Sequence, residues 1–200
     1  MNYINVGYDS TNNYAISLGK KYILIDVGMP GTMKKLMYSL KRNGINLGDI
    51  SYLIVTHFDP DHCGLAQDLQ LIGVELIISQ CQKPFLEKSN KHLKSFPGFK
   101  EIIVKPENIL KENDKKSFLR RFGSPGYFIS TPGHSEDSIS IVIEGLGVFI
   151  GDFPAHIVAE DLENLENKKI LEKSWQVIKS TGEKRIFPAH SNSFEIPILI

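Results

Sequence analysis

The sequence predicts a layered α/β domain, and three observations lead there. Short runs rich in β-branched and aromatic residues recur along the chain. Apolar stripes at helical spacing lie between several of them. Neither an internal repeat nor a Pro/Gly/Ser-rich linker divides the 200 residues, so residues 1–200 read as a single domain with a sizeable core.

The runs Tyr22–Ile25, Tyr52–Val55, Leu76–Ile78, Ile102–Val104, Tyr127–Ile129, Ile139–Ile143, Val148–Ile150 and Arg185–Phe187 have the length and composition of strands. Gly145-Leu146-Gly147 reads as a hairpin turn rather than a phosphate loop, because no helix follows it. Met33, Leu36, Met37 and Leu40 form one helical stripe, opened by Pro30-Gly31-Thr32 and closed by Gly44. The two methionines read as core packing. Leu171, Trp175 and Ile178 form a second stripe that ends before Gly182, and Asp61–Leu71 reads as a third, weaker helix.

Composition narrows the partners. Lys plus Arg equals Asp plus Glu at 23 each, so no general attraction to nucleic acid or anionic membrane is expected. Lys115, Lys116, Arg120 and Arg121 read as a solvated loop. No apolar run approaches a membrane span. The segment Met1–Asn5 lacks a basic start followed by an apolar run. Cys63 and Cys81 do not form a CxxC pair. Reduced thiols in a cytoplasmic protein are therefore expected.

Candidate chemistry falls just after strands. Tyr52–Thr56 runs into His57-Phe58-Asp59-Pro60-Asp61-His62, Tyr127–Thr131 into Pro132-Gly133-His134, Val148–Ile150 into Gly151-Asp152, and Arg185–Phe187 into Pro188-Ala189-His190. Loops held by a rigid sheet are where functional groups concentrate. The first cluster places four metal-competent side chains within six residues: imidazole suits zinc or iron, and carboxylates neutralise charge and bridge ions. Pro60 restricts the backbone of this loop. Asp-Pro-Asp is also ordinary turn chemistry, and a D-x-D pair also suits Mg²⁺ and a nucleotide-sugar. The three later motifs favour a metal site. No G-x-S-x-G elbow is present, so a serine triad is unsupported.

Taken together, Thr56–Gly64 resembles the H-x-H-x-D-H signature of the metallo-β-lactamase-fold hydrolases, in an H-x-D-x-D-H variant. Thr131-Pro132-Gly133-His134-Ser135, Gly151-Asp152 and Phe187-Pro188-Ala189-His190 resemble that family's later motifs, and Leu24-Ile25-Asp26-Val27-Gly28 its early strand and Asp-x-Gly turn. The resemblance covers essentially the whole chain, in order. It implies a four-layer αββα sandwich of two mixed sheets flanked by helices, with the site along one edge. It also implies that His57, Asp59 and His134 bind one metal ion, that Asp61, His62 and His190 bind a second, and that Asp152 bridges them. Asp26 is either a residue that holds the site loops or a plain turn former before Gly28. The implied function is hydrolysis by a water shared between two divalent ions, which Asp61 helps to orient.

Two departures qualify this. Glycines usually flank the last histidine, whereas His190 sits in Pro-Ala-His-Ser. Asp59 stands where the family usually has histidine. A carboxylate there is harder and more anionic, so zinc remains the first expectation with iron or manganese as alternatives. The related flavodiiron oxidoreductases carry a glutamate at this position. A diiron protein reducing oxygen or nitric oxide is therefore one alternative function, and a non-catalytic metal sensor another. For a hydrolase, the absence of an export signal, of basic bias and of a helical C-terminal extension leaves a small-molecule ester, lactone, thioester or phosphoester as the expected substrate. The loops after Val6 and around Phe153–His156 are expected to shape the pocket. His156 reads as a surface residue or one supporting the site, His92 as solvent-facing and Cys63 as packed at a helix start.

Overall fold

In the computed structural model, which describes residues 2–154 and 165–196, the apolar runs assemble into two mixed sheets. The first contains β1 (Tyr3–Asn5), β2 (Tyr14–Ser17), β3 (Tyr22–Ile25), β4 (Ile50–Ile54), β5 (Glu75–Ser79) and β6 (Ile109–Leu110), in that spatial order. Its first three strands are antiparallel neighbours, and β3 to β6 are parallel. The second sheet has the order β11 (Phe194–Glu195), β10 (Arg185–Pro188), β9 (Gly147–Gly151), β8 (Ile139–Ile143), β7 (Gly126–Ser130). There β9 and β10 are parallel and the other pairs antiparallel. The helices are α1 (Met33–Arg42), α2 (Pro60–Cys63), α3 (Ala66–Leu71), α4 (Leu86–Leu93), α5 (Lys115–Phe122) and α6 (Leu165–Ser180).

Alternation along the strands explains the layering. Ile23 and Ile25 of β3 face the second sheet, where they meet Phe128, Ile141, Phe149 and Phe187. Leu24, between them, faces the opposite way and joins Leu36 and Leu40 of α1 and Leu69 of α3. In the second sheet Tyr127, Ile129, Val142, Val148 and Ile150 turn outward against Leu171 and Ile178 of α6. Helix, sheet, sheet, helix follow in order, and β8 and β9 are buried along their full length because both faces are covered.

Four local expectations need correction. Ile102–Val104 is not a strand. The Ile102 amide donates to Asn90 Oδ1 and the Ile103 amide to Gln67 Oε1, so side chains, not a neighbouring strand, satisfy this backbone. Asp61–Leu71 is two helices, not one. The carbonyl of His62 accepts from the Val27 amide at 2.8 Å, a bond outside the helix, and the chain re-enters helix only at Ala66. The Lys115–Arg121 segment is helix α5, not a loop: Asp114 caps it, Gly123 ends it in the left-handed conformation, and Phe118 and Phe122 bury one face while Lys115, Lys116 and Arg120 stay outside. Within the first stripe, Leu36 and Leu40 are buried and Met33 packs against them, but Met37 is exposed.

Topology sets the site. β3 and β4 run in one direction with their carboxyl ends together. In the facing sheet β7, β9 and β10 run parallel to one another, so their carboxyl ends also share an edge. Functional groups gather at such edges in α/β sheets.

Candidate metal centre

Each candidate ligand follows one of those strand ends. Asp59 lies in extended backbone as the residue preceding α2, Pro60 starts the helix, and Asp61 and His62 are in its first turn. The switch from extended to helical backbone lets four side chains from six residues reach two neighbouring points. His134 follows β7, Asp152 follows β9 and His190 follows β10.

All seven residues converge. Asp59 Oδ2 lies 3.1 Å from His134 Nε2 and 3.5 Å from His57 Nε2. Asp61 Oδ2 lies 3.4 Å from the Nε2 atoms of both His62 and His190. Asp152 stands between the two groups. Its Oδ1 is 3.1 Å from His62 Nε2 and from His190 Nε2; its Oδ2 is 3.6 Å from His134 Nε2 and 3.9 Å from His57 Nε2. Donors placed tetrahedrally at about 2.1 Å from one ion are about 3.4 Å from each other, so these spacings are those of ligands poised around cations. His57 Nε2, His62 Nε2 and Asp152 Oδ1 are buried without a hydrogen-bond partner, which is rare for buried polar atoms. The residues present thus fit divalent metal ions.

The orientation of the rings is built in. Asp26 accepts the Thr56 amide on Oδ1, and on Oδ2 the Thr56 hydroxyl and the His62 Nδ1–H. With its proton committed to Asp26, the Thr56 hydroxyl accepts from His57 Nδ1 at 3.1 Å. His190 Nδ1 donates to the Ser10 carbonyl at 2.8 Å. Three imidazoles are held by Nδ1, and each directs an Nε2 lone pair into the site. Asp26 is therefore both of the things its sequence context suggested. It holds two site loops, and its backbone is in the left-handed region at φ 59°, where Asp is better tolerated than most residues.

Electrostatics follow from the crowding of carboxylates. The His134 and His57 imidazoles beside it hold Asp59 well below the ordinary carboxylate range. Burial works against charge on Asp61, yet contact with His62 and Thr11 lowers it, and His62, His57 and His190 do the same for Asp152. Burial also opposes charge on His62, but Asp26, Asp152 and Asp61 push its pKa up to about 12. The hydrogen bond to Asp59 raises that of His134. The cluster demands positive charge, and protons and metal ions compete for the same Nε2 lone pairs.

Several supporting residues were not foreseen. Thr11 donates to Asp61 Oδ2, Asp137 accepts the Phe58 amide, and Gln82 donates to the carbonyls of Val55 and Thr56. Only Thr56 carried a signal, since it adjoins the first motif. Cys63 packs in the core, outside the groups of converging donors. His92 is exposed against the edge of Phe96. His156 lies outside the described residues. A cavity of about 220 Å³ opens over the cluster, lined by His134, Asp152, Phe153, Pro154 and His190 among others. The Phe153 loop thus reaches the site, and the loop after Val6 borders an adjoining cavity.

An αββα sandwich with this His/Asp cluster on its strand-end edge defines a metallohydrolase scaffold. The chain belongs to the metallo-beta-lactamase superfamily, whose family profile matches residues 6–153. Among curated relatives, a probable metallo-hydrolase of Methanocaldococcus jannaschii is 29% identical, across 90% of this chain and 94% of the relative. A beta-lactamase-like protein 2 homolog of Caenorhabditis elegans is 27% identical across 90% of this chain, which spans 55% of that longer protein. Among solved structures, the FEZ-1 metallo-beta-lactamase of Legionella gormanii superposes with a TM-score of 0.71 at 18% identity, covering 94% of this chain and 76% of its own. No helix among the described residues is long and apolar enough to cross a membrane.

Proposed function

We propose that the chain is a dinuclear metal-dependent hydrolase of a small ester, lactone, thioester or phosphoester. One observation carries this reading: Asp152 presents one carboxylate oxygen to the His62/His190 pair and the other to the His57/His134 pair, as a bridging ligand does. His57, Asp59 and His134 would hold one ion, and Asp61, His62 and His190 the other. A bound pair of divalent ions supplies acidified water at neutral pH and polarises a substrate oxygen.

The protein's own part is positional. Asp26, Thr56 and the Ser10 carbonyl keep the three Nδ1 protons away from the site, leaving the Nε2 lone pairs available. Asp61, fixed by the Thr11 hydroxyl at 2.8 Å and lowered in pKa, stays ionised at neutral pH, so its carboxylate can accept a hydrogen bond from the attacking water. Among the described residues, the Ser191 hydroxyl borders the cavity, and it has no neighbouring G-x-S-x-G elbow.

Zinc is the first expectation for the ions, with iron or manganese next because Asp59 supplies a hard oxygen in place of an imidazole. That same carboxylate, 3.1 Å from His134 Nε2, favours a redox-active diiron centre as the second reading. The test is elemental analysis of protein purified without added metal, together with a hydrolase substrate panel, for wild type, Asp152→Ala and His92→Ala. Asp152→Ala is expected to lose metal and to fall at least about a hundredfold in activity, while His92→Ala does neither. Equal metal content in wild type and Asp152→Ala would remove the bridging role.

A further inference from the structure

His190 and Ser191, which line the cavity over the metal cluster, also line a second cavity of about 350 Å³ whose wall includes Arg42. A third, of about 450 Å³, shares Gly7, Tyr8, Asp9 and Arg42 with the second and adds Lys34, Lys35 and Tyr38. Shared walls thus set the three cavities side by side as a surface trough, with metal ligands lining the first and the side of α1 lining the third. Between those two the lining is mainly neutral and polar, including Ser10, Asn12 and Asn192.

Charge along the trough is uneven. Lys35 is occupied by Asp9, at 2.8 Å and 3.0 Å, so these two cancel. Arg42 and Lys34 have no such partner. Arg121 pairs with Glu75, Arg185 with Glu195, and Arg120 donates to Ser117. Among the described residues, Arg42 is the arginine left with no hydrogen bond or ion pair, and it is the arginine that faces the trough. A cation in the last turn of α1 is favoured by the helix dipole whatever its function, but Lys41 already meets that need and does not line the trough. A guanidinium adds what an ammonium lacks: a planar fork that binds an oxyanion through two parallel bonds.

We propose that Arg42 binds an anionic oxygen group of the substrate, a carboxylate or a phosphate, carried at the end of the molecule remote from the bond that is cleaved. This rests on the hydrolase reading and narrows its substrate class to small acidic molecules. Such a substrate lies along the trough with its scissile group over the cluster and its acid group at Arg42, with Lys34 adding a second positive charge and Asp9 neutralised by Lys35.

The test uses the metal-replete full chain and 4-nitrophenyl monoesters of the dicarboxylic acids from succinate to suberate, each beside its terminal amide and its ω-phosphate analogue, with spontaneous hydrolysis subtracted. At the best chain length, wild type is expected to favour an anionic ester over the amide by about tenfold or more in kcat/KM, chiefly through KM. The carboxylate and phosphate arms show which anion is preferred. Arg42→Gln brings the acid-to-amide ratio close to one, Arg42→Lys retains part of it, and Lys41→Gln, which removes a charge from the same turn outside the trough, leaves it unchanged. An unaltered ratio in Arg42→Gln, or no preference at any length in wild type, overturns the inference while the hydrolase reading stands. If no ester is turned over, titration calorimetry with glutarate and with propyl phosphate decides. Binding that weakens about tenfold in Arg42→Gln upholds the anion site and leaves the hydrolase reading to fall alone; equal binding overturns the anion site.

Discussion

Asp59 shows how much one side chain can set. Its carboxylate occupies the position that an imidazole would need, 3.1 Å from His134 and 3.5 Å from His57. A carboxylate makes that half of the centre more anionic and harder, favouring iron or manganese more than a three-histidine site does. Asp59→His is therefore expected to move the metal ratio toward zinc after equal exposure to the three metals, with the fold intact because Asp59 is half exposed. Elemental analysis of both proteins checks this, and identical ratios would make Asp59 a bystander. The seven converging residues were legible in the sequence because each is a reactive side chain in a loop that follows an apolar run. Thr11, Asp137 and Gln82 were not. They act through one or two hydrogen bonds each, across 50 positions of chain for Thr11, 79 for Asp137 and 27 and 26 for Gln82, and no strand-end motif marks them.

At the scale of elements, the joint between β9 and the first motif loop is tightly constrained. Gly151 ends β9 with φ 55°, and a Cβ there would lie 2.5 Å from Thr56 Oγ1, the hydroxyl that orients His57. Gly151→Ala thus combines left-handed strain with a collision transmitted to a ligand. Gly19 provides the comparison, since its φ is 85° but nothing lies within 4 Å of an added Cβ. Both substitutions are expected to cost about 1–3 kcal/mol from backbone strain. Only Gly151→Ala should also lower metal content. Denaturation and elemental analysis on the two variants separate these effects, and equal metal content would show that Thr56 moves aside without disturbing His57. Elements were legible where periodicity was long, as in α1 and α6. They were obscure where tertiary contacts decide the outcome. Tyr3–Asn5 forms an edge strand of three residues because β2 is there to pair with it. Ile102–Val104 has strand composition but finds side-chain acceptors instead of a neighbour.

Across the whole molecule, the candidate centre joins the two sheets. His57, Asp59, Asp61 and His62 belong to the first, and His134, Asp152 and His190 to the second. Direct polar links also join the halves near the site, among them the Ile139 amide on the Thr56 carbonyl, the Phe58 amide on Asp137, the Asn12 amide on the Ala189 carbonyl and the Tyr14 hydroxyl on the Pro188 carbonyl. Ions held by both sheets bind the folded state and not the unfolded chain, and so stabilise it by mass action. At about a hundredfold excess of metal over Kd this amounts to about 2.7 kcal/mol, so removal by a chelator should lower Tm by about 5–10 °C in a chain of this size. Scanning calorimetry before and after chelation and re-addition of metal measures it. An unchanged Tm would mean that the sheets are already locked together by the aromatic core around Phe128, Phe149 and Phe187. The layered class was visible in the order of strands and helices, but the pairing of the sheets was not, because it rests on contacts between distant parts of the chain.

The division of ligands between the sheets has a temporal side. The chain is made from its N-terminus at about 5–20 residues per second, so the segment holding His57, Asp59, Asp61 and His62 emerges seconds before His134 and longer still before His190. During that interval the nascent chain displays four chelating groups with no partners from the second sheet. Any ion caught then has an incomplete set of ligands and exchanges freely with its surroundings. By the proposed assignment, the second site would be complete only when β10 adds beside β9 and brings His190 against Asp61. For that site the pool of ions that matters would be the one around the finished protein, not the one around the ribosome.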